Sequence, residues 1–202
     1  MVATLLAPIP LQTPHATALD RRFATTPLAT TAFHLQTSLQ VSLSSYNISN
    51  YLRLGLSKKG DQAIGRSRGG LTTKIHAVCA SEADAVDIRI TAGQVGDAPV
   101  GEALVEPLDP REGIRHAAMD KAYDSNAIRA KLDAKGITPV IPPKSNRLEI
   151  VVYDQERYKQ RNKVERLFNK LKQFRRVATR YEKLKTNFLA FVTVALIVIM
   201  LR

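Results

Sequence analysis

Residues 158–185 read YKQRNKVERLFNKLKQFRRVATRYEKLK, a basic stretch with no Gly and no Pro. Val164, Leu167, Leu171, Phe174, Ala178 and Tyr181 recur at three- and four-residue steps, which predicts one long helix with an apolar stripe. At about 100° per residue, Tyr158, Arg161, Glu165 and Lys172 fall within roughly 60° of arc and form a second stripe beside the first. Glu165 is the only acid between Arg157 and Tyr181. A single carboxylate among cations, fixed on a packed helix, suits a metal ligand beside a polyanion. It suits equally an i,i+4 partner for Arg161. The helix alone leaves both readings open.

The rest of the chain narrows the class of partner. Its 202 residues carry 30 Lys and Arg against 18 Asp and Glu, a formal charge of +12, and the pI is about 10. Such a balance points to a polyanion: nucleic acid first, an acidic membrane surface second. The length accommodates one ordinary domain and an appendage. Cys79 is the single cysteine, which excludes a disulfide framework and a cysteine zinc cluster and fits a reducing cytosol. The first residues lack a basic region, and Pro8, Pro10 and Pro14 interrupt their apolar run, so they do not read as a secretory signal. Residues 188–201 are strongly apolar but fall short of the roughly 20 residues of a bilayer span. They are expected to be a buried closing helix or strand, with no membrane anchor.

Residues 1–56 differ in character from residues 57–202. The first segment is rich in Thr, Ala, Ser, Leu and Pro and keeps no steady period. It is expected to be poorly ordered or replaced, with a short strand over 39–43 and an irregular element over 46–56. From residue 57 the basic loop SKKGDQAIGRSRGG offers Arg66 and Arg68 to phosphates, and its glycines let backbone come close. Strands are predicted over 71–79 and 85–92 as an antiparallel hairpin. Asp97 is read as the cap of a helix over 98–108. A short strand over 116–119 delivers Asp120. Asp124 or Ser125 caps the next helix, Gly136 ends it, a strand follows over 138–141, and the basic loop PPKSNR carries Lys144. His76, mid-strand, reads as structural. The order is that of a mixed α/β domain.

Asp120 at the C-terminal end of a strand holds a common catalytic position in open α/β sheets. Two carboxylates from separate elements, such as Asp120 and Glu165, can share divalent metals, and two metals activate water and stabilise a leaving oxygen in phosphodiester cleavage. Mg²⁺ suits this because it prefers oxygen ligands and keeps water positions for substrate phosphates. The alternative makes Asp120 a partner of Lys121 and Asp124 a helix cap. Spacing leaves the two undecided.

The spacing Tyr158, two residues, Arg161, three, Glu165, six, Lys172 matches a Y-R-E-K signature. Together with DQAIGRSRGGLTTKIHA (61–77), MDKAYD (119–124), VIPPKSNR (140–147) and QFRRVATRYEKLKTNFLAF (173–191), it resembles the DDE transposases of bacterial insertion sequences, in the insertion-sequence-five group. The resemblance spans about residues 58–202, with its motifs in order. It implies a ribonuclease H-like mixed sheet flanked by helices. It also implies a bacterial, nucleoid-associated cytoplasmic protein that binds double-stranded DNA at transposon ends as a homo-oligomer. The family cuts and joins DNA with two Mg²⁺ ions held by Asp, Asp and Glu, using water and then a 3′-hydroxyl as nucleophiles. Carried over by motif, Asp120 is the second catalytic Asp and Glu165 the Glu, both metal ligands. Tyr158, Arg161 and Lys172 contact DNA near the cleaved phosphate.

One departure qualifies the match. The family's first catalytic Asp lies on a strand shortly before DQAIGRSRGG, and counting back here reaches residues 42–47, which contain no acid. The sheet is therefore expected to be incomplete at its first strand, and the site to be short of one carboxylate and to hold Mg²⁺ weakly or not at all. The expectation is a truncated or inactive copy of a transposase, its start frameshifted or replaced. The alternatives are a non-catalytic DNA-binding fragment that competes for transposon ends or subunits, and a basic RNA- or ribosome-binding protein.

Overall fold

A computed structural model describes residues 39–50, 60–148 and 151–202. The expectations for residues 1–38 and 51–56 lie outside the described residues. The strand expected over 39–43 is longer than its alternation suggested. β1 spans Leu39–Ser49, and a hairpin of β2 (Gly65–Ser67) and β3 (Gly70–Cys79) leads to β4 (Ala85–Ala92). Then come α1 (Asp97–Val105), β5 (Ile114–Met119), α2 (Asn126–Ala134) and β6 (Thr138–Val140). Four helices follow: α3 (Gln155–Lys159), α4 (Asn162–Leu171), α5 (Arg175–Ala178) and α6 (Lys185–Met200).

The six strands form one mixed sheet in the order β2-β3-β1-β5-β6, with β4 also paired to β3. β1 is antiparallel to β3 and parallel to β5, and β5 is parallel to β6. Helices flank this sheet, in keeping with the ribonuclease H-like expectation. The expected gap at the first strand is corrected. β1 lies between β3 and β5, and the ladder runs from Ser42↔Cys79 to Ser49↔Thr72. Ladder hydrogen bonds come from the backbone, and burial comes from alternating apolar side chains. Neither requires the missing acid.

Alternation sorts the two faces. Val41 and Leu43 join Val78, Met119, Leu104, Val105, Ile128 and Leu132 in a core under α1 and α2. Ile48, Ile75, Ala77 and Ile90 join Val164, Leu167, Leu171, Phe188 and Val192 in a second core under α4 and α6. α2 begins at Ser125, whose hydroxyl accepts the Ile128 amide at 3.2 Å. Its end is turned by Gly136 at φ +70.

Two expectations fail here. The single helix over 158–185 is broken, with Phe174 extended (φ −86, ψ 108) ahead of α5. The chain then turns to bury Arg180 completely. Asp97 does not cap α1. Gly96 is the N-cap residue, and the Asp97 carboxylate instead accepts the Lys74 ammonium at 2.8 Å. The apolar closing segment is helix α6, buried along Phe188, Val192, Ala195 and Ile199, while Val194, Ile197, Met200 and Leu201 are exposed. Among the described residues no helix is long and apolar enough to cross a membrane.

Candidate active site

The last paired residues of the parallel strands β1 and β5 are Leu43 and Met119. Ser44 and Asp120 come next. Leu43 and Met119 both enter the α1/α2 core, so strand alternation turns Ser44 and Asp120 to the α4/α6 face. Asp120 leaves the strand extended (φ −65, ψ 154) and opens a short turn over Lys121–Tyr123. Its carbonyl accepts the Tyr123 amide at 2.9 Å. A Cβ on Gly101 of α1 would lie 2.4 Å from the Tyr123 ring, so glycine is what lets α1 press on this turn.

α3 and α4 supply the facing groups. The Asp154 carboxylate accepts the Arg157 amide at 2.9 Å and caps α3. Arg161 joins the two helices with helical backbone (φ −57, ψ −22), which preserves the neighbourhood of Tyr158, Arg161 and Glu165. The Arg161 guanidinium sits 5.4 Å from the Tyr158 ring centroid, donates to Glu165 through Nη2, and reaches the Ser44 hydroxyl with Nη1 at 3.5 Å. Burial pushes the Tyr158 phenol above its ordinary pKa; the Arg161 charge opposes this and the Asp120 charge adds to it. Asp120, Tyr158, Arg161 and Glu165 therefore act on one another in sequence, on one face of the sheet. The i,i+4 ion pair is realised within this cluster.

Lys172 joins from the far end of α4. Its ammonium lies 4.2 Å from the ring centroid of Tyr46, two residues beyond Ser44 on β1 and on the same face. Tyr46 in turn packs against Phe168, with ring centroids 5.9 Å apart.

Lys144 lies on a loop fastened to Asp124, four residues beyond Asp120. Asp124, with a side chain 1% exposed, accepts Arg129 at 2.9 Å, Arg147 at 3.0 Å and the Lys144 amide at 2.9 Å. The Lys144 ammonium donates to the Asp124 carbonyl at 2.9 Å. Burial alone would raise the Asp124 pKa, but the Lys144 amide and the two guanidiniums hold it below the usual value. The expectation of Asp124 as a helix cap is thereby replaced by an anchoring role, since Ser125 provides the cap. Arg66 and Arg68 are exposed on the β2–β3 hairpin. That hairpin meets the end of β1, where the Asn50 amide donates to Leu71 at 3.1 Å. Six residues of strand, roughly 20 Å, separate it from Ser44, so these two arginines stand apart from the cluster.

The donor set fits a pair of Mg²⁺ ions poorly. Two carboxylates face the site, Glu165 is engaged by Arg161, and the third position holds a hydroxyl. Among the described residues no group of three or more His, Cys, Asp or Glu side chains could hold a metal. Mg²⁺ needs few but well-placed anionic oxygens. The sequence reading bracketed Ser44 within residues 42–47 as the place of a missing acid and gave it no contact, and Tyr46 received no role. Their alternation along 42–48 was the available signal, masked by a search for an acid.

Comparison with known proteins gives the same direction. The model of the transposase DDE domain family matches residues 13–201. A Brucella ovis protein, named a transposase for insertion sequence element IS6501, is 37% identical over 133 residues, which cover 65% of this chain and 100% of that protein. The catalytic core domain of BIV integrase is similar at a TM-score of 0.46 and 12% identity, covering 80% of this chain and 82% of that one, a likeness too low to argue from. A family match over nearly the whole chain and a relative 37% identical along its full length lead to one conclusion: the chain belongs to the DDE transposase family of insertion sequences.

Proposed function

We propose that the protein binds duplex DNA at the ends of its own insertion sequence and that its cutting and strand-transfer chemistry is impaired. The observation that supports this is that β1 offers Ser44, not a carboxylate, directly after the Leu43↔Met119 pair that precedes Asp120. Asp120 and Glu165 are the remaining catalytic acids and the ligands for Mg²⁺, of low affinity here. Arg161 and Lys172 neutralise phosphate charge at the cluster, and Tyr158 holds Arg161 by its ring face. Arg66, Arg68 and Lys144 add backbone contacts further out, and the protein acts as a homo-oligomer on two ends.

The second reading, a non-catalytic protein that competes for transposon ends or transposase subunits, is favoured by the same serine. The test uses the full chain with a supercoiled plasmid carrying the genomic segment that flanks its gene. Expected are binding whose affinity falls steeply with salt and Mg²⁺-dependent nicking near background. Robust nicking abolished by both Asp120→Ala and Glu165→Ala would overturn the impairment. Preference for structured RNA over duplex DNA would overturn the transposon-end reading.

A further inference from the structure

We infer that Tyr46 is the positioning residue for Lys172, the lysine of the Y-R-E-K cluster. This rests on the reading above that Lys172 meets a DNA phosphate. Lys172 is exposed and lies one residue past the end of α4. Its ammonium has four flexible bonds behind it, and an unrestrained lysine of this kind samples a wide volume. The structure restrains it on two sides. The ring of Tyr46 faces the ammonium at 4.2 Å, and Asn169 Oδ1 accepts from Nζ at 3.4 Å. A ring face attracts a cation through its quadrupole and leaves the remaining N–H donors free to turn outward. A carboxylate in the same place would neutralise the charge that a phosphate needs.

The ring is itself fixed. Tyr46 belongs to β1, the central strand, paired with Ile75 of β3. It leans on the Phe168 ring, whose residue is 5% exposed in the core beneath α4. Alternation puts Tyr46 on the face that carries Ser44, two residues away, and Ser44 touches Arg161. One strand thus sets the two cations of the cluster, Arg161 through a hydroxyl and Lys172 through an aromatic face. The strand that carries no acid has this second role.

The test is a double-mutant cycle in the full chain, read by binding to a short duplex of mixed sequence and by proton NMR. The duplex needs no end sequence, because phosphate contacts are independent of sequence. Lys172→Met is expected to weaken binding and lower the salt slope by about one. Tyr46→Leu is expected to weaken it about two- to fivefold, the range of an exposed cation–π contact. Tyr46→Phe, which keeps the ring, stays near the parent. Tyr46→Leu in the Lys172→Met background adds nothing. The Lys172 ε-protons, displaced upfield by the ring in the parent and in Tyr46→Phe, return to the ordinary lysine position in Tyr46→Leu. Should Lys172→Met bind as the parent does, the DNA-contact reading fails and this inference with it. Should Lys172→Met weaken binding while Tyr46→Leu changes neither binding nor the ε-proton shift, the inference alone fails.

Discussion

The Ser44 hydroxyl lies 3.5 Å from the guanidinium of Arg161, which is already bound to Glu165. On the reading proposed above, a neutral hydroxyl stands where the family's first carboxylate would lie. Ser44→Asp would place a third acid beside Asp120 and would also compete with Glu165 for Arg161, releasing the Glu165 carboxylate. Both effects favour a divalent cation. Mg²⁺ affinity is expected to rise by about tenfold or more, as an added charged oxygen ligand should produce. Nicking of the plasmid should rise with it, while Ser44→Asn should do neither. Calorimetric titration of Mg²⁺ into the full chain checks this, and unchanged affinity in Ser44→Asp would remove Ser44 from the site.

Arg180 makes the second prediction. It is fully buried and lies over the Phe188 ring, and its guanidinium donates to the carbonyls of Gln62 at 2.7 Å, Glu182 at 2.8 Å and Lys183 at 3.0 Å, and to Thr73 Oγ1 at 2.6 Å. Burial pulls its pKa down to about 10, so it stays charged at neutral pH. Arg180→Met would leave these acceptors unsatisfied within the core. The expected loss is about 3–5 kcal/mol. Arg180→Lys should recover little of it, since one ammonium cannot span a fork of acceptors. Urea unfolding should show a lower midpoint at unchanged slope.

Arg180 also shows where the sequence stops being readable. The hairpin of β3 and β4, the strand before Asp120 and helix α2 were legible because alternation, Ser125 and Gly136 are local signals. The break after α4 was not. Phe174, Ala178 and Tyr181 keep a helical spacing, and no Gly or Pro interrupts it. The chain breaks there because Arg180 is drawn inside, a demand set by carbonyls of residues 62 and 63 far away in sequence. Asp97 was misread for a similar reason: Lys74, from another strand, claims the carboxylate that a local cap would have used. Of the candidate site, the nearness of Tyr158, Arg161 and Glu165 was legible by helical spacing, while their roles and that of Asp120 came from the resemblance. Counting back bracketed Ser44 but not its contact with Arg161, and Tyr46 went unread, because the first strand was judged by the acid it lacks.

Asp124 gives a prediction in which stability and acid titration are linked. Its carboxylate is shielded from solvent and holds Arg129 and Arg147, whose side chains are 11% and 15% exposed. Asp124→Asn would remove the buried carboxylate that Arg129 and Arg147 share, at about 3–5 kcal/mol. The loop over 142–147 should loosen with it, and trypsin should cut at Lys144 and Arg147 faster than in the parent. The folded pKa lies below the ordinary value of 3.8. The contribution of the carboxylate is thus complete above about pH 4 and is lost as pH falls through the depressed folded value. Asp124→Asn should flatten this acid limb. An unchanged limb and unchanged tryptic rate would refute the anchoring role.

His76 titrates in a separate window. Its ring is fully buried, with Nδ1 3.1 Å from the Tyr123 hydroxyl and Nε2 2.8 Å from that of Thr91. Burial lowers its pKa from 6.5 to about 4; Asp97, 3.9 Å away, pulls upward and Lys74 pulls down again. Between pH 6.5 and 4 the unfolded chain takes up a proton at this ring and the folded chain does not. Stability contributed by the neutral ring is therefore complete above pH 6.5 and declines as pH falls toward 4. The full decline is about 3 kcal/mol, at about 1.4 kcal/mol per pKa unit. His76→Gln, which cannot titrate, should be less stable than the parent at neutral pH yet nearly flat across that window. Urea midpoints measured through it decide the matter: parallel curves for parent and variant would mean that this buried ring does not stay neutral, and that Asp97 has won over desolvation.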